Sequence, residues 1–132
     1  MIKELDEKEY LTILNLGKLI KDDFSLSQIG VNDKVLVYES NNKIVAFLVY
    51  SQMYEIIDIL YIAVQEDLRR QGIAHSLIDF LIKLPGAEKL MLEVRESNTG
   101  ALAFYKSCGF KLCRTIKNYY GRENALSLER MI

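Results

Sequence analysis

The stretch ILYIAVQEDLRRQGIAH, residues 59–75, decides how this chain is read, because it carries an apolar run through a basic, glycine-containing loop into a helical pattern. A helix that starts straight after such a loop presents unpaired main-chain N–H groups and the positive end of its dipole. It therefore holds an anion such as a phosphate through the backbone rather than through net charge. Gly72 lets the backbone approach the anion closely, and Ala74 keeps the next helical position small. Arg69 and Arg70 add donors that fit phosphate oxygens.

On the N-terminal side of this segment, residues 1–5 suit a short first strand. Residues 7–20 place Tyr10, Ile13, Leu14, Gly17 and Leu19/Ile20 at helical spacing, and a second short helix is expected around 25–29. Residues 35–39 and 43–50 flank Ser40-Asn41-Asn42, and asparagines tolerate positive φ, so the pair reads as a hairpin. Residues 53–64 read as one long central strand. On the C-terminal side, Ile73, Leu77, Ile78 and Leu81 mark one face of a helix over 73–84 that lies against the sheet and stops at Pro85-Gly86. Its crossover leads to a parallel strand at 89–94, then a helix at 98–108 ended by Gly109, and a final hairpin of 110–117 and 125–131. No linker, repeat or low-complexity tract interrupts the pattern, so residues 1–132 are expected to form a single α/β domain with a sheet of mixed direction.

Composition narrows the function. A chain of 132 residues, half of them apolar, buries roughly two-thirds of its unfolded surface in one core. Lysine and arginine number 17 against 18 acidic residues, a formal charge of −1, so no global field draws nucleic acid or anionic membrane and neither is expected as a partner. The longest apolar run, 44–50, is far short of a spanning helix, and the start MIKELDEKEY is too polar for a signal peptide; a soluble, cytoplasmic protein is expected. Cys108 and Cys113 have the spacing of neither a zinc pair nor a secreted framework, and both read as reduced core thiols. With one histidine in the chain, no metal is expected.

The run Arg69-Arg70-Gln71-Gly72-Ile73-Ala74 resembles the R/Q-x-x-G-x-G/A motif of the GNAT N-acetyltransferases, in which this loop binds the pyrophosphate of acetyl-coenzyme A (acetyl-CoA). LEVRESNTGALAFYKSCGF (92–110) and NYYGRENAL (118–126) extend the likeness over about residues 56–126. It is strongest toward the branch that acetylates the N-terminal α-amine of a ribosomal protein. The resemblance implies the GNAT fold, a mixed central sheet flanked by helices in which two parallel strands, here 56–64 and 89–94, splay apart at their C-terminal ends. Open sheets bind ligands beyond strand carboxyl ends, at such a switch of direction.

The same resemblance implies acetyl-CoA as cosubstrate, a protein N-terminus as acceptor, and a set of site residues. Ile62, Ala63 and Val64 would pair with pantetheine like an added strand, one main-chain N–H polarising the thioester; read alone they are a buried strand end. Arg69, Arg70, Gln71, Gly72, Ile73, Ala74 and His75 would surround the phosphates, although His75 also suits plain surface. Asn98 either bonds the cofactor or caps the following helix. Glu93 would be the proton acceptor, its other reading being a solvated strand end. Tyr105 would protonate the departing thiolate, its other reading being a core aromatic. Tyr119, Tyr120 and Arg122 would line the acceptor groove together with Glu123, although the tyrosines equally suit a strand core. Asn124 stands where the family commonly has Asp, and Asp22, Asp23 and Phe24 occupy an early substrate loop.

The chemistry asked of these groups is modest. An α-amine has a pKa of about 7.7 to 8.0, so its deprotonation near pH 7 costs about 1 to 1.4 kcal/mol, against roughly 4.6 for a lysine side chain. A phenol near 10 lies about 1.5 units above a typical thiol, close enough to donate to a departing sulfur anion. Direct transfer then needs no covalent enzyme intermediate. Two other classes fit the same residues: a GNAT enzyme acting on a small-molecule amine, and a non-catalytic acetyl-CoA-binding module.

Overall fold

Seven strands form one sheet in the order β1-β2-β3-β4-β5-β7-β6, antiparallel throughout except where β4 meets β5. They are β1 (Ile2–Glu4), β2 (Lys34–Ser40), β3 (Lys43–Met53), β4 (Ile56–Val64), β5 (Lys89–Arg95), β6 (Lys111–Ile116) and β7 (Ala125–Met131). Among the described residues, three α-helices accompany them: α1 (Tyr10–Gly17), α2 (Ile73–Ile82) and α3 (Thr99–Ser107). The computed structural model describes residues 1–5, 10–17 and 33–132. The expected helix at 25–29 and the substrate-loop residues Asp22, Asp23 and Phe24 lie outside the described residues.

Period-two alternation divides the apolar side chains between two cores. On one face, Leu36, Leu48, Ile57, Ile59, Leu90, Leu92, Val94 and Leu128 pack under Ile73, Leu77, Ile78 and Leu81 of α2 and under Tyr105 of α3. These four α2 residues are the ones the helical period selects, and all are buried. On the other face, Val35, Val37, Phe47, Val49 and Ala63 pack against Ile13 and Leu16 of α1. Asn41 and Asn42 take φ of 53° and 64° and close the β2–β3 hairpin, as their tolerance of the left-handed region suggests.

Two expectations need correction. The boundary between the strands read as 43–50 and 53–64 lies about three residues later: Met53 ends β3, Tyr54, at φ 56°, turns the chain with Glu55, and Ile56 begins β4. A tyrosine at a position that usually takes Gly or Asn carries no turn signal, which is why the sequence pattern places the turn too early. Cys108 is buried as expected, but Cys113 is exposed. It is the extra residue of a bulge on the edge strand β6, between the rungs Leu112↔Leu128 and Arg114↔Ser127.

The feature that makes the site is the short pairing of β4 with β5. Only three rungs join them, Ile56↔Lys89, Ile57↔Leu90 and Asp58↔Met91. Beyond these, β4 continues to Val64 on β3 alone, and β5 continues to Arg95 on β7 alone. Leu60 is unmatched between Tyr50↔Ile59 and Val49↔Tyr61, so a bulge sits where the strands part. A bulge adds local twist, which turns β4 away from its parallel neighbour. Among the described residues, no helix is long and apolar enough to cross a membrane.

Candidate active site

The end of β4 leads into a glycine-containing loop on one side of the cleft. Gln65 N–H closes β4 on the Val45 carbonyl at 2.8 Å, a 3-10 turn spans Glu66–Leu68, and the Arg69 Nε donates to the Val64 carbonyl at 3.1 Å. Arg70 and Gly72 both adopt positive φ, 67° and 81°. Gly72 is the N-cap of α2 and supplies no side-chain cap, and the first helical bond runs from Ser76 N–H to the Gly72 carbonyl at 3.0 Å. The N–H groups of Ile73, Ala74 and His75 precede that bond, so they form the open helix terminus that suits phosphate oxygens. A Cβ on Gly72 would meet no atom within 4 Å, so it would project into the open space an anion needs, besides being strained at this φ.

The end of β4 and this loop wall a cavity of about 630 Å³; a smaller one of about 350 Å³ shares Ile62 of β4 with it. The larger one is lined by Ile62, Ala63, Val64, Arg69, Arg70, Gly72, Ile73, Ala74 and His75 from the loop side and by Phe104 and Tyr105 from α3. His75 is exposed, edge-on to Phe104 at 4.9 Å and 3.3 Å from the Ser107 hydroxyl. Of the residues expected around the cofactor, Gln71 and Asn98 are not in its lining.

The smaller cavity lies between the parted strands. Ile59, Leu60, Tyr61 and Ile62 form one wall, and Leu92, Glu93, Val94 and Arg95 form the other. Asn98, Ala101, Tyr105 and Tyr120 complete it. Ile62, Ala101 and Tyr105 line both cavities, so the two meet at these side chains. Glu93 is half-buried on the face opposite Leu92. Asn98 is the N-cap of α3, its Oδ1 accepting from Ala101 N–H at 3.1 Å, which is the capping reading rather than the cofactor one.

Tyr105 is nearly fully buried and edge-on to Phe104 and Phe110 at 5.2 and 5.5 Å. Burial, and then Cys108, hold its phenol well above the ordinary tyrosine range, so it is a weaker acid here than its free value suggests.

The late loop is fastened to the start of α3 by side chains. The Glu123 carboxylate accepts from Ser97 N–H at 2.9 Å, from the Ser97 hydroxyl, and from Arg95 Nη1 at 3.3 Å. The hydrogen bonds from Ser97 lead in holding its carboxyl below the usual range, with Arg95 adding to them. Arg95 in turn lies over the Tyr120 ring, 4.1 Å from its centroid. Asn124 accepts from Asn118 N–H at 3.0 Å and donates to Glu96 at 3.1 Å, so its amide ties the loop down rather than facing an acceptor. Of the three expected groove residues, Tyr120 alone reaches the cleft. Tyr119 is exposed against the Tyr120 ring at 4.9 Å, and Arg122 lines a separate hollow with Glu96, Ser97, Glu123 and Asn124.

Two residues that line the cleft, Arg95 and Tyr61, went unread in the sequence, as did Asp58 next to it. Asp58 holds the last β4–β5 rung, and its carboxyl is pushed up to about 6 by burial, then by the charges of Glu93 and Asp33. The signal was available, since Asp58 is the one charge in the strand sequence IIDILYIAV.

Residues 3–110 match the family model described as Acetyltransferase (GNAT) family. The chain belongs to this family. Among GNAT relatives, the ribosomal protein bS18-alanine N-acetyltransferase of Haemophilus ducreyi is 30% identical over 131 residues, covering 93% of this chain and 86% of the relative. The Escherichia coli protein of the same name is 38% identical over 93 residues, 65% of this chain, and the match spans 63% of that relative's length. The crystal structure of the ribosomal-protein-S18-alanine N-acetyltransferase from Escherichia coli superposes with a TM-score of 0.85 at 28% identity, covering all (100%) of this chain and 93% of that one. The expected GNAT architecture, a mixed α/β sheet with splayed parallel strands, is the one observed.

Proposed function

We propose that this GNAT protein moves the acetyl group of acetyl-CoA to the α-amine at the N-terminus of a protein, with a ribosomal protein as the acceptor. The observation that carries the reading is the meeting of two unlike cavities at Ile62, Ala101 and Tyr105. One is rimmed by an open helix terminus with Arg69 and Arg70, and the other holds Glu93. A pyrophosphate suits the first and an ammonium suits the second. Relatives that carry this function by name support the choice of acceptor. The same reading places the enzyme in the cytoplasm, where acetyl-CoA and newly made ribosomal proteins meet.

In this reading, the N–H groups at the start of α2 and the two arginines hold the pyrophosphate. The β5-facing main-chain groups of β4 beyond Asp58 pair with the pantetheine amides, since unpaired strand edges otherwise go unsatisfied. Glu93 accepts a proton from the acceptor's ammonium, through water if needed, and releases it to solvent. The neutral amine attacks the thioester carbon, a main-chain N–H stabilises the oxyanion, and collapse makes the N–C bond as the C–S bond breaks. Tyr105, at the junction of the two cavities, gives a proton to the thiolate and regains one from the nitrogen side by way of solvent. The balance is one amide, one thiol and one proton released.

The test is release of coenzyme A thiol with acetyl-CoA and peptides that begin with alanine, alongside polyamines, free amino acids and aminoglycosides. Turnover of the peptides and little of the small amines is expected; preference for a small amine at saturating peptide would overturn the reading.

A further inference from the structure

Asp58 stands where the sheet divides. Its rung with Met91 is the last between β4 and β5, and the acceptor cavity opens from the next residues, Ile59 and Leu92. Ile57, Ile59, Leu90 and Leu92 all belong to the core on the α2 and α3 side, so Asp58, Met91 and Glu93 face the other way, on one common face. Asp58 and Glu93 are thus diagonal neighbours across the parallel pair, near enough for each to feel the other's charge. Among the described residues neither has an ion-pair partner. The charged group next along the same face, Arg95, is committed to Glu123 and Tyr120.

A second observation comes from the strand on the far side. Ser127 pairs directly with Glu93 across β5 and β7, so it shares that face. It is wholly buried, and its hydroxyl has no hydrogen-bond partner among the described residues. Among the described residues, a row across three neighbouring strands therefore contains two carboxylates without an ion-pair partner and an unused hydroxyl, and Glu93 in that row lines the acceptor cavity. Half-buried charges without partners are costly, and unmade buried hydrogen bonds are uncommon. The arrangement is completed by a cation that enters from the cleft, with Ser127 free to donate to Glu93 as that carboxylate adjusts.

We propose that Asp58 is a specificity-determining residue of the acceptor site, its charge joining that of Glu93 to position an incoming α-ammonium and to disfavour acceptors whose second residue is acidic. The inference rests on the N-terminal acetylation proposed above and names the acceptor class more closely: a cationic N-terminus followed by neutral or basic residues. Asp58 acts through its field on the ammonium, so it is a positioning residue and not a proton carrier.

Binding separates this from the function itself. With the protein saturated in coenzyme A, which cannot donate, calorimetry compares three hexapeptides: one beginning Ala-Gln, its N-acetylated form, and one beginning Ala-Asp. The wild type is expected to bind the first about tenfold more tightly than either of the others, and Asp58→Asn to reduce both preferences to about twofold. Asp58→Glu should restore them, and affinity for acetyl-CoA should stay within about twofold in both variants, since the donor cavity is untouched. The inference is overturned if Asp58→Asn keeps the full preferences, if it loses acetyl-CoA affinity to the same degree, or if the wild type shows no preference for the free amine. A wild type that prefers the free amine yet acetylates no peptide overturns the function and leaves the role of Asp58 standing.

Discussion

The two halves of the cleft are built on different principles. The half proposed to hold the donor is one continuous segment, from Ile62 to His75, closed by a face of α3, and it presents main-chain N–H groups at the start of α2. The acceptor half collects side chains from β4, β5, the start of α3 and the late loop. Contacts such as Glu123 to Ser97 and Arg95, and Asn124 to Glu96, hold these segments together. A half made of backbone depends on conformation at a few positions, above all Gly72, and tolerates side-chain change elsewhere. A half made of side chains can change its acceptor without disturbing the donor.

The sharpest way to break that division is at Tyr105, which with Ile62 and Ala101 belongs to both halves. Tyr105→Phe keeps the ring and its packing and removes one hydroxyl. Turnover should fall about 10² to 10⁴-fold with acetyl-CoA affinity nearly kept, as steady-state kinetics and calorimetry would read. Because burial raises this phenol, it stays protonated through the working range, and the loss should be similar from about pH 6 to about pH 9. A near wild-type rate would leave Tyr105 a packing residue.

Next in size is a change confined to the donor half. Gly72→Asp forces a carboxylate and a Cβ at φ 81° into the phosphate cradle, and acetyl-CoA affinity should drop about 100-fold or more. Peptide affinity should hardly move. Equal loss of both ligands would mean that the halves are not separable.

The converse change is Glu123→Ala, which frees Arg95 and the late loop. KM for the peptide should rise about three- to tenfold, with the Kd for acetyl-CoA unchanged, because a charge-assisted contact holds Tyr120 against the cleft. An unchanged KM would show that Tyr120 needs no clasp.

The smallest effect is one of stability. Asp58 titrates near 6 in the fold against 3.8 when free, so the folded chain binds this proton more tightly and loses stability as pH rises through that window. Asp58→Asn removes the penalty. Its Tm should exceed the wild type's by about 2 to 4 °C above pH 6, and the gap should close below about pH 4, in thermal melts followed by circular dichroism.

The same contrast explains what could be read in the sequence. The donor loop, the buried face Ile73, Leu77, Ile78 and Leu81, and the Asn41-Asn42 turn are local patterns whose meaning travels with neighbouring residues. The splayed strands followed from the family resemblance. The bulge at Leu60 did not, because it is a fact about two strands at once. Tyr54 turns the chain without a turn residue, and Cys113 is exposed because an edge bulge carries it out of the ladder. In the acceptor half, the Asp-to-Asn change at Asn124 looked like a lost ammonium contact. In the fold that amide is occupied by Asn118 and Glu96, and the carboxylate that lines the cleft is Glu93 on β5, with Asp58 beside it on β4.

The central claim is that the acetyl group goes to an N-terminal α-amine. The most direct measurement offers one peptide with both choices, an N-terminal alanine and an internal lysine, together with acetyl-CoA, and locates the product by fragmentation mass spectrometry. Acetylation at the α-amine alone, with one thiol released per acetyl group, is the predicted result, since that amine loses its proton about 3 kcal/mol more cheaply than lysine near pH 7 and Glu93, the proposed proton acceptor, lines the cleft. Acetylation at the lysine, or thiol release with no acetyl group on the peptide, would contradict it.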